Sequence, residues 1–123
     1  MASGRRLSDR DKIGGGFVSS GLLLDDQGNL YGSTYEGGKY TCPPGGPIGC
    51  GVVFKLTPHA NGRWAESVLH SFGKGKDGSG PGGGLFRDSA GHLFGVTDDG
   101  GYFGGPCGKG GAIGCGVVFE ITP

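Results

Sequence analysis

Short runs of alternating apolar and polar residues, separated by glycine-rich turns, follow one another along this chain. Around Val52, Phe54 and Leu56 every second side chain is apolar, which is the period of a β-strand with one buried face. Helical periodicity is absent. The segment 26–29, with Gly28 at its centre, is typical of a hairpin turn between two such runs. The pattern predicts four successive antiparallel strands, in the runs 22–25, 30–35, 52–56 and 64–72.

The whole pattern occurs twice in the 123 residues. The first matching pair of segments is GLLLDDQGNLYG at 21–32 and GLFRDSAGHLFG at 84–95, and the second is CGVVFKLTP at 50–58 and CGVVFEITP at 115–123. The first pair is 63 residues apart and the second pair 65, so the second copy has two extra residues in an expected surface loop. Lys55 becomes Glu120 in the second copy, and a position that changes charge sign is expected to face water.

Four antiparallel strands in a repeat of this length are typical of a β-propeller blade. The sequence therefore predicts an all-β fold with two four-stranded antiparallel propeller-type blades per chain. Residues 14–80 are the first predicted blade and residues 81–123 the second, which lacks its fourth strand, while residues 1–13 are an N-terminal tail or a strand-exchange segment. Because propellers typically have ~4–8 blades, we expect homo-oligomerisation to complete the ring, with a trimer favoured.

The motifs of the repeat resemble those of a known family. They are GNLYGST at 28–34, CGVVFKLTP at 50–58, Trp64 and VLHSFG at 68–73. Together they are similar to the GloVer tandem repeat of bacterial surface-anchored proteins, over roughly residues 14–123. The resemblance implies a propeller fold and an extracellular or cell-surface location, and it supplies no catalytic residues. The first twenty residues lack the apolar core of a secretory signal, which conflicts with that location.

The composition narrows the class of partner. The chain has 32 glycines and 7 prolines, which alone would be typical of disorder, but the glycines cluster between the apolar runs as turn residues do. Eleven basic and eleven acidic side chains balance, so we expect no nucleic-acid partner and no attraction to an anionic membrane. No apolar run approaches the ~18 residues of a membrane helix, so we expect no membrane insertion.

The four cysteines are the strongest chemical signal. Cys42 and Cys50 enclose seven residues, and Cys107 and Cys115 also enclose seven. This spacing predicts one local disulfide in each copy, although four cysteines permit three connectivities. The Cys-x2-Cys spacing and paired histidines of a zinc site are missing, so we expect no metal and no cofactor. Disulfides imply an oxidising compartment.

The sequence does not match the common motifs of catalytic sites. The residues around Lys109 do not match a phosphate-binding loop, and no Ser, His and Asp grouping can be identified. The histidines are isolated, and the carboxylates beside the turns are expected to cap the turn backbone, with calcium binding as an open alternative. We therefore predict that the protein is not an enzyme. The histidines are His59, His70 and His92, and the turn carboxylates are Asp25, Asp26 and Asp88.

The long connections at 36–49, 73–83 and 99–114 are expected to lie on one face of the blades, and long connections are often functional. Aromatic rings cover the apolar face of a sugar while charged groups bond its hydroxyls. These connections therefore predict a ligand site. The candidate ligand-binding residues are Tyr35, Glu36, Lys39, Tyr40, Asp98, Asp99, Tyr102 and Phe103.

These expectations combine into a non-catalytic extracellular module with lectin-like carbohydrate recognition by the loops of one propeller face. The expected partners are further copies of the chain and glycans. Two alternatives stay open. In the first, the aromatic rings only pack the glycine-rich loops, and the repeats are a structural scaffold of a bacterial surface protein. In the second, the same carboxylates serve a glycan lyase or hydrolase.

Overall fold

A computed structural model describes residues 21–42, 49–74, 77–101 and 115–123. In these ranges the chain is all-β, as predicted, with no helix and therefore no helix that could span a membrane. The strands make two antiparallel sheets. They are β1 (Leu23–Leu24), β2 (Leu30–Thr34), β3 (Val52–Pro58), β4 (Trp64–Ser71), β5 (Ser79–Pro81), β6 (Phe86–Arg87), β7 (Leu93–Asp99) and β8 (Val118–Ile121).

The first sheet has the strand order β1-β2-β3-β4, with each strand antiparallel to the next. Its four strands fall in the four predicted runs, and their ends differ from the prediction by one or two residues. A β-bulge lies between Val53 and Phe54, because Val53 pairs with His70 whereas Phe54 pairs with Val68. The alternation of the sequence therefore predicted this sheet well, but not the bulge.

The second sheet is built around β7. Leu93 pairs with Arg87 of β6 and with Ile121 of β8, so β6 and β8 lie on opposite sides of β7. Strands β6, β7 and β8 occupy the positions of β1, β2 and β3 in the repeat. The fourth strand is β5, which pairs with the end of β7 through Pro81 and Thr97. The expectation that 73–83 is a loop throughout is wrong for Ser79–Pro81, because the end of β7 offers this segment backbone partners that its sequence does not reveal.

The two sheets pack face to face. We call the touching surfaces the inner faces: Tyr31 and Val53 lie on the inner face of the first sheet, and Leu93 and Phe119 on that of the second. They belong to one apolar cluster. The ring of Phe119 also meets that of Phe72 edge to face, with centroids 5.0 Å apart. Further members are Leu23, Tyr40, Cys42, Cys50, Leu69, Leu85 and Ile121.

The opposite surfaces are the outer faces. On the outer face of the first sheet, Val52, Phe54 and Leu56 are buried with Leu30 and Trp64, as the alternation of the third run predicts. However, the intervening Val53 is fully buried as well, so β3 is buried on both faces. A simple alternation of apolar and polar residues does not reveal this second buried face.

The charge-swapped position faces water in only one copy. Glu120 has a side chain that is 53% exposed. Lys55 is half-buried, and its Nζ lies 5.8 Å from the centroid of the Tyr31 ring. Since Lys55 is on an inner face and Glu120 on an outer face, the stacking of the sheets explains the difference.

One glycine in each sheet permits a close approach of an aromatic ring. A Cβ atom at Gly32 would lie 2.7 Å from Cζ of Phe54, and a Cβ atom at Gly95 would collide with Cζ of Phe119. Leu22 and Leu85 pack beside the same two glycines. The glycine of the Leu-Tyr-Gly segment at 30–32 and that of the Leu-Phe-Gly segment at 93–95 therefore have the same packing role.

The predicted boundary between residues 80 and 81 falls inside β5. Since β5 pairs with β7, this strand belongs to the second sheet. The predicted N-terminal segment, residues 1–13, lies outside the described residues.

Candidate functional site

Predicted ligand-binding residues from both copies meet where the two sheets adjoin. Tyr35 and Glu36 follow β2, and Asp98 and Asp99 end β7, at equivalent positions of the repeat. A cavity of about 290 Å³ opens between these strand ends. We call it the junction cleft, and its lining consists of Tyr35, Glu36, Cys42, Gly49, Cys50, Ser79, Gly80 and Asp99. Three of the eight predicted residues therefore line one cleft, to which both copies contribute.

At the end of β2 and at the end of β7, a threonine side chain fixes the backbone conformation. The Thr34 hydroxyl donates to the Glu36 carbonyl oxygen (2.8 Å) and accepts from the Val52 amide (3.2 Å). The Thr97 hydroxyl donates to the Asp99 carbonyl oxygen (2.9 Å) and accepts from the amide of Val117 (2.9 Å). Each threonine thus fixes the backbone of the two residues that follow it, which lie after β2 in the first copy and at the end of β7 in the second. Sequence reasoning did not select these threonines, although their recurrence at one repeat position was visible.

Tyr35 provides an aromatic surface in the cleft. Its ring lies against the backbone of β5, because a Cβ atom at Gly80 would be 3.0 Å from ring atoms Cε1 and Cζ. Its hydroxyl lies near the Asp98 carboxylate, which can accept a hydrogen bond from it. The pKa of Tyr35 is raised, first by burial and then by the negative charges of Asp98 and Asp99. With 38% of its surface exposed, the ring is both oriented and accessible.

The lining of the cleft is acidic. Glu36 and Asp99 line it, and the described lining residues include no lysine or arginine. The pKa of Asp99 is raised, mainly by burial and further by the negative charge of Asp98. Carboxylates of this kind are acceptors for hydroxyl or amine donors. The cleft therefore favours a ligand that donates hydrogen bonds.

The Cys42–Cys50 disulfide forms one wall of the cleft and confirms the predicted local pairing, with its Cα atoms 5.2 Å apart. The amide of Cys50 donates to the carbonyl oxygen of Tyr40 (3.1 Å), and its own carbonyl oxygen accepts from the Gly80 amide (2.7 Å). The disulfide-linked loop is thereby tied to β5. Cys115 also forms a disulfide, and its predicted partner, Cys107, lies outside the described residues.

Among the described candidate residues, Lys39, Tyr40 and Asp98 are not part of the lining of the junction cleft. Lys39 and Tyr40 line a second cavity of about 460 Å³ together with residues of β4, Lys74 and Asp77. Lys39 Nζ lies 5.6 Å from the centroid of the Tyr40 ring, and this ring packs against the inner-face cluster. Tyr102 and Phe103 lie outside the described residues.

Two of the turn carboxylates, Asp25 and Asp88, have the capping role that the sequence predicts. Asp25 Oδ1 accepts from the amides of Gln27 and Asn29, and Oδ2 accepts from the Asn29 side chain and the Tyr31 hydroxyl, all at 2.9 Å. Burial opposes the charged form, but these hydrogen bonds outweigh it and lower the pKa of Asp25. In the second copy Asp88 accepts from the amides of Ala90 and His92.

Two histidines lie beside carboxylates. His92 Nδ1 is 3.2 Å from Asp88 Oδ2, and His70 Nε2 is 2.8 Å from Asp77 Oδ2. The amide of Gly73 also donates to Asp77. These contacts tie down a turn and a loop. Among the described residues, no group of three or more His, Cys, Asp or Glu side chains is placed to hold a metal ion.

The site thus combines an exposed aromatic ring, acidic acceptors and a disulfide wall in one cleft between two repeats. Comparison of the chain with protein-family models, with curated proteins and with solved structures finds no match.

Proposed function

We propose that the chain is a non-catalytic carbohydrate-binding module and that the junction cleft is its binding site. The observation that carries this proposal is the convergence of Tyr35, Glu36 and Asp99 on one cleft. An oriented aromatic ring next to hydrogen-bond acceptors suits a sugar ring, which has an apolar face and hydroxyl groups at its edge. A cavity of about 290 Å³ is at the small end for ligand sites, so it suits a single sugar residue of a longer glycan.

The residues take distinct roles in this proposal. The Tyr35 ring stacks on the apolar face of the sugar, and Glu36 and Asp99 accept from its hydroxyls. Asp98 orients the Tyr35 ring through its hydroxyl. Each contact is worth ~1–2 kcal/mol, about a tenfold change in affinity.

A glycan array followed by calorimetry tests the proposal. Tyr35→Ala removes the ring and is expected to weaken binding about tenfold or more. Tyr35→Phe keeps the ring and loses only the bond to Asp98, so a smaller loss is expected. Tyr40→Ala is the matched control, since Tyr40 lies by the second cavity. If no glycan binds, or if Tyr40→Ala weakens binding as much as Tyr35→Ala, the cleft is not the site and the structural scaffold becomes the better proposal.

A glycan lyase or hydrolase is the second candidate, and one observation favours it. The raised pKa of Asp99 is a property of a carboxyl group that acts as a general acid. Prolonged incubation of a bound glycan with the protein should leave it intact if the module is non-catalytic. Cleavage that Asp99→Asn abolishes and Glu120→Gln preserves would establish the enzyme instead.

We also propose that the two sheets are blades of a GloVer-type propeller, and that homo-oligomerisation, as a trimer by preference, completes the ring. The recurrence of three strands in the same order and the face-to-face packing of the sheets support this proposal. The Cys42–Cys50 disulfide supports an extracellular or cell-surface location. Light scattering on the purified chain tests the trimer directly.

A further inference from the structure

The large apolar side chains that remain exposed are concentrated on the two outer faces. Six of them are 44% to 79% exposed, and the strand registers place three on each outer face. Tyr35 in the cleft is the remaining large exposed apolar residue of the described chain. Apolar patches of this kind mark interaction surfaces. The six are Leu22, Leu24 and Val68 on the first sheet and Phe86, Val96 and Val118 on the second.

The outer face of the second sheet is the repeat counterpart of the inner face of the first. Val118 corresponds to Val53 and Phe94 to Tyr31, by the 63- and 65-residue offsets of the repeat. Val53 is 0% exposed, whereas Val118 is 79% exposed. Both are valines in the same strand of their copy, and only Val53 has another sheet packed on it. The second sheet therefore presents a surface that in the first copy is covered.

The inner face of the second sheet, which packs on the first sheet, also has a repeat counterpart. The inner face of the second sheet presents Leu85, Leu93 and Phe119 around Gly95, and the outer face of the first sheet presents Leu22, Leu30 and Phe54 around Gly32. The counterparts of both halves of the internal sheet contact thus lie on opposite sides of the chain, where Leu22 and Val118 are exposed, although Phe54 itself is 1% exposed. Such a pair of unlike surfaces suits a head-to-tail contact between copies.

Charge also suits this contact. Inside the chain, Tyr31 lies near two cations, Lys55 on its own sheet and Arg87 on the other. In the repeat, Lys55 corresponds to Glu120 on the outer face of the second sheet, and Arg87 corresponds to Leu24 on the outer face of the first. A contact between these two outer faces would therefore lack the two positive charges that Lys55 and Arg87 bring to the internal contact.

We propose that the outer face of the second sheet in one copy docks on the outer face of the first sheet in a second copy, repeating the internal packing of the two sheets. The inference rests on the homo-oligomer proposed above and names its interface. It does not depend on carbohydrate binding. The contact differs from pairing of strand edges, because it is made by side chains of the sheet faces.

Two variants and their mixture test the proposal. Val118→Glu blocks the outer face of the second sheet, and Leu22→Glu blocks that of the first. Each variant alone is expected to be a monomer by sedimentation equilibrium, while their equimolar mixture forms a 1:1 dimer through the one intact pair of faces. Gln27→Glu, which adds the same charge on an exposed turn, is the control and should assemble like the wild type. Circular dichroism confirms that the variants are folded.

Three outcomes would overturn the proposal. A wild-type chain that stays monomeric excludes a second copy as the partner. Assembly of Val118→Glu like the wild type removes this face from the interface, even if the protein is an oligomer. Assembly of Leu22→Glu alone indicates that two second sheets meet each other.

Should either glutamate variant fail to fold, a photo-cross-linker at position 118 of the wild type must label residues 22–24 of another copy, and labelling elsewhere refutes the contact. Glycan affinity measured per cleft should not change in any variant, which separates this proposal from the binding function.

Discussion

The two copies of the repeat form the same three strands but differ in burial. Val53 and Phe54 of β3 are buried on both sides of the first sheet. Their counterparts in the second copy, Val118 and Phe119, are exposed and half-buried. The four residues stand in the same Cys-Gly-Val-Val-Phe motif. The motif therefore determines the strand and the alternation of faces but not the burial, because the second sheet covers Val53, whereas Phe54 is buried on an outer face with Leu30 and Trp64.

The largest expected effect tests this difference in the core. Phe54→Ala is expected to lower the free energy of unfolding by ~3–5 kcal/mol, because it leaves a cavity beside Gly32 in a fully buried site. Phe119→Ala should cost clearly less, since its ring is only half-buried. Urea denaturation of the two variants measures both values. Equal losses would mean that the Phe119 ring is as well buried in solution as the Phe54 ring.

The disulfide loop of the first copy gives the next effect. Replacing both Cys42 and Cys50 by Ser is expected to cost about 2–3 kcal/mol, because the bridge restricts a short loop in the unfolded chain. Non-reducing peptide mapping of the wild type should find this cross-link and, by the repeat, one between Cys107 and Cys115. A cross-link from Cys42 to Cys107 would contradict the local pairing.

The turn carboxylates allow a comparison by pH. The pKa of Asp25 is lowered, so its charge stabilises the folded state above the ordinary Asp pKa of about 3.9, and this contribution is lost as the pH falls. Asp25→Asn is therefore expected to cost about 1–2 kcal/mol near neutral pH and little in acid. Asp88→Asn should have a smaller effect, because its cap involves fewer donors. Thermal unfolding at several pH values measures the slope. A loss for Asp25→Asn that is the same at low and neutral pH would disprove the charge effect.

The smallest effect concerns the cleft and needs no ligand. The pKa of Tyr35 and that of Tyr31 are both raised, first by burial and further by a nearby carboxylate, which is Asp98 for Tyr35 and Asp25 for Tyr31. Asp98→Asn should shift one tyrosine of the ultraviolet titration back toward its ordinary pKa without a change in stability. Asp25→Asn should shift a different tyrosine and lower the stability as well. If Asp98→Asn leaves the titration unchanged, the Tyr35 hydroxyl is not held by Asp98 in solution.

The sequence by itself determined the strands, the turns and the local disulfide, because each depends on residues close together in the chain. The alternation around Phe54, the Asp25 turn and the spacing of Cys42 and Cys50 are local features of this kind. The candidate residues Tyr35, Glu36 and Asp99 were also selected from the sequence, as aromatic and acidic residues in or beside the long connections.

Only the tertiary structure decided which of these residues meet. Glu36 and Asp99 line one cleft because the two sheets stack with their corresponding strand ends side by side, a contact between residues far apart in sequence. The same stacking buries Val53, leaves Val118 exposed and gives Ser79–Pro81 a strand partner. Tyr40, by contrast, packs into the core instead of the cleft. Alternation reports which side chains share a face, but it contains no information about what covers that face, and this is the physical reason why strand positions could be predicted and burial could not.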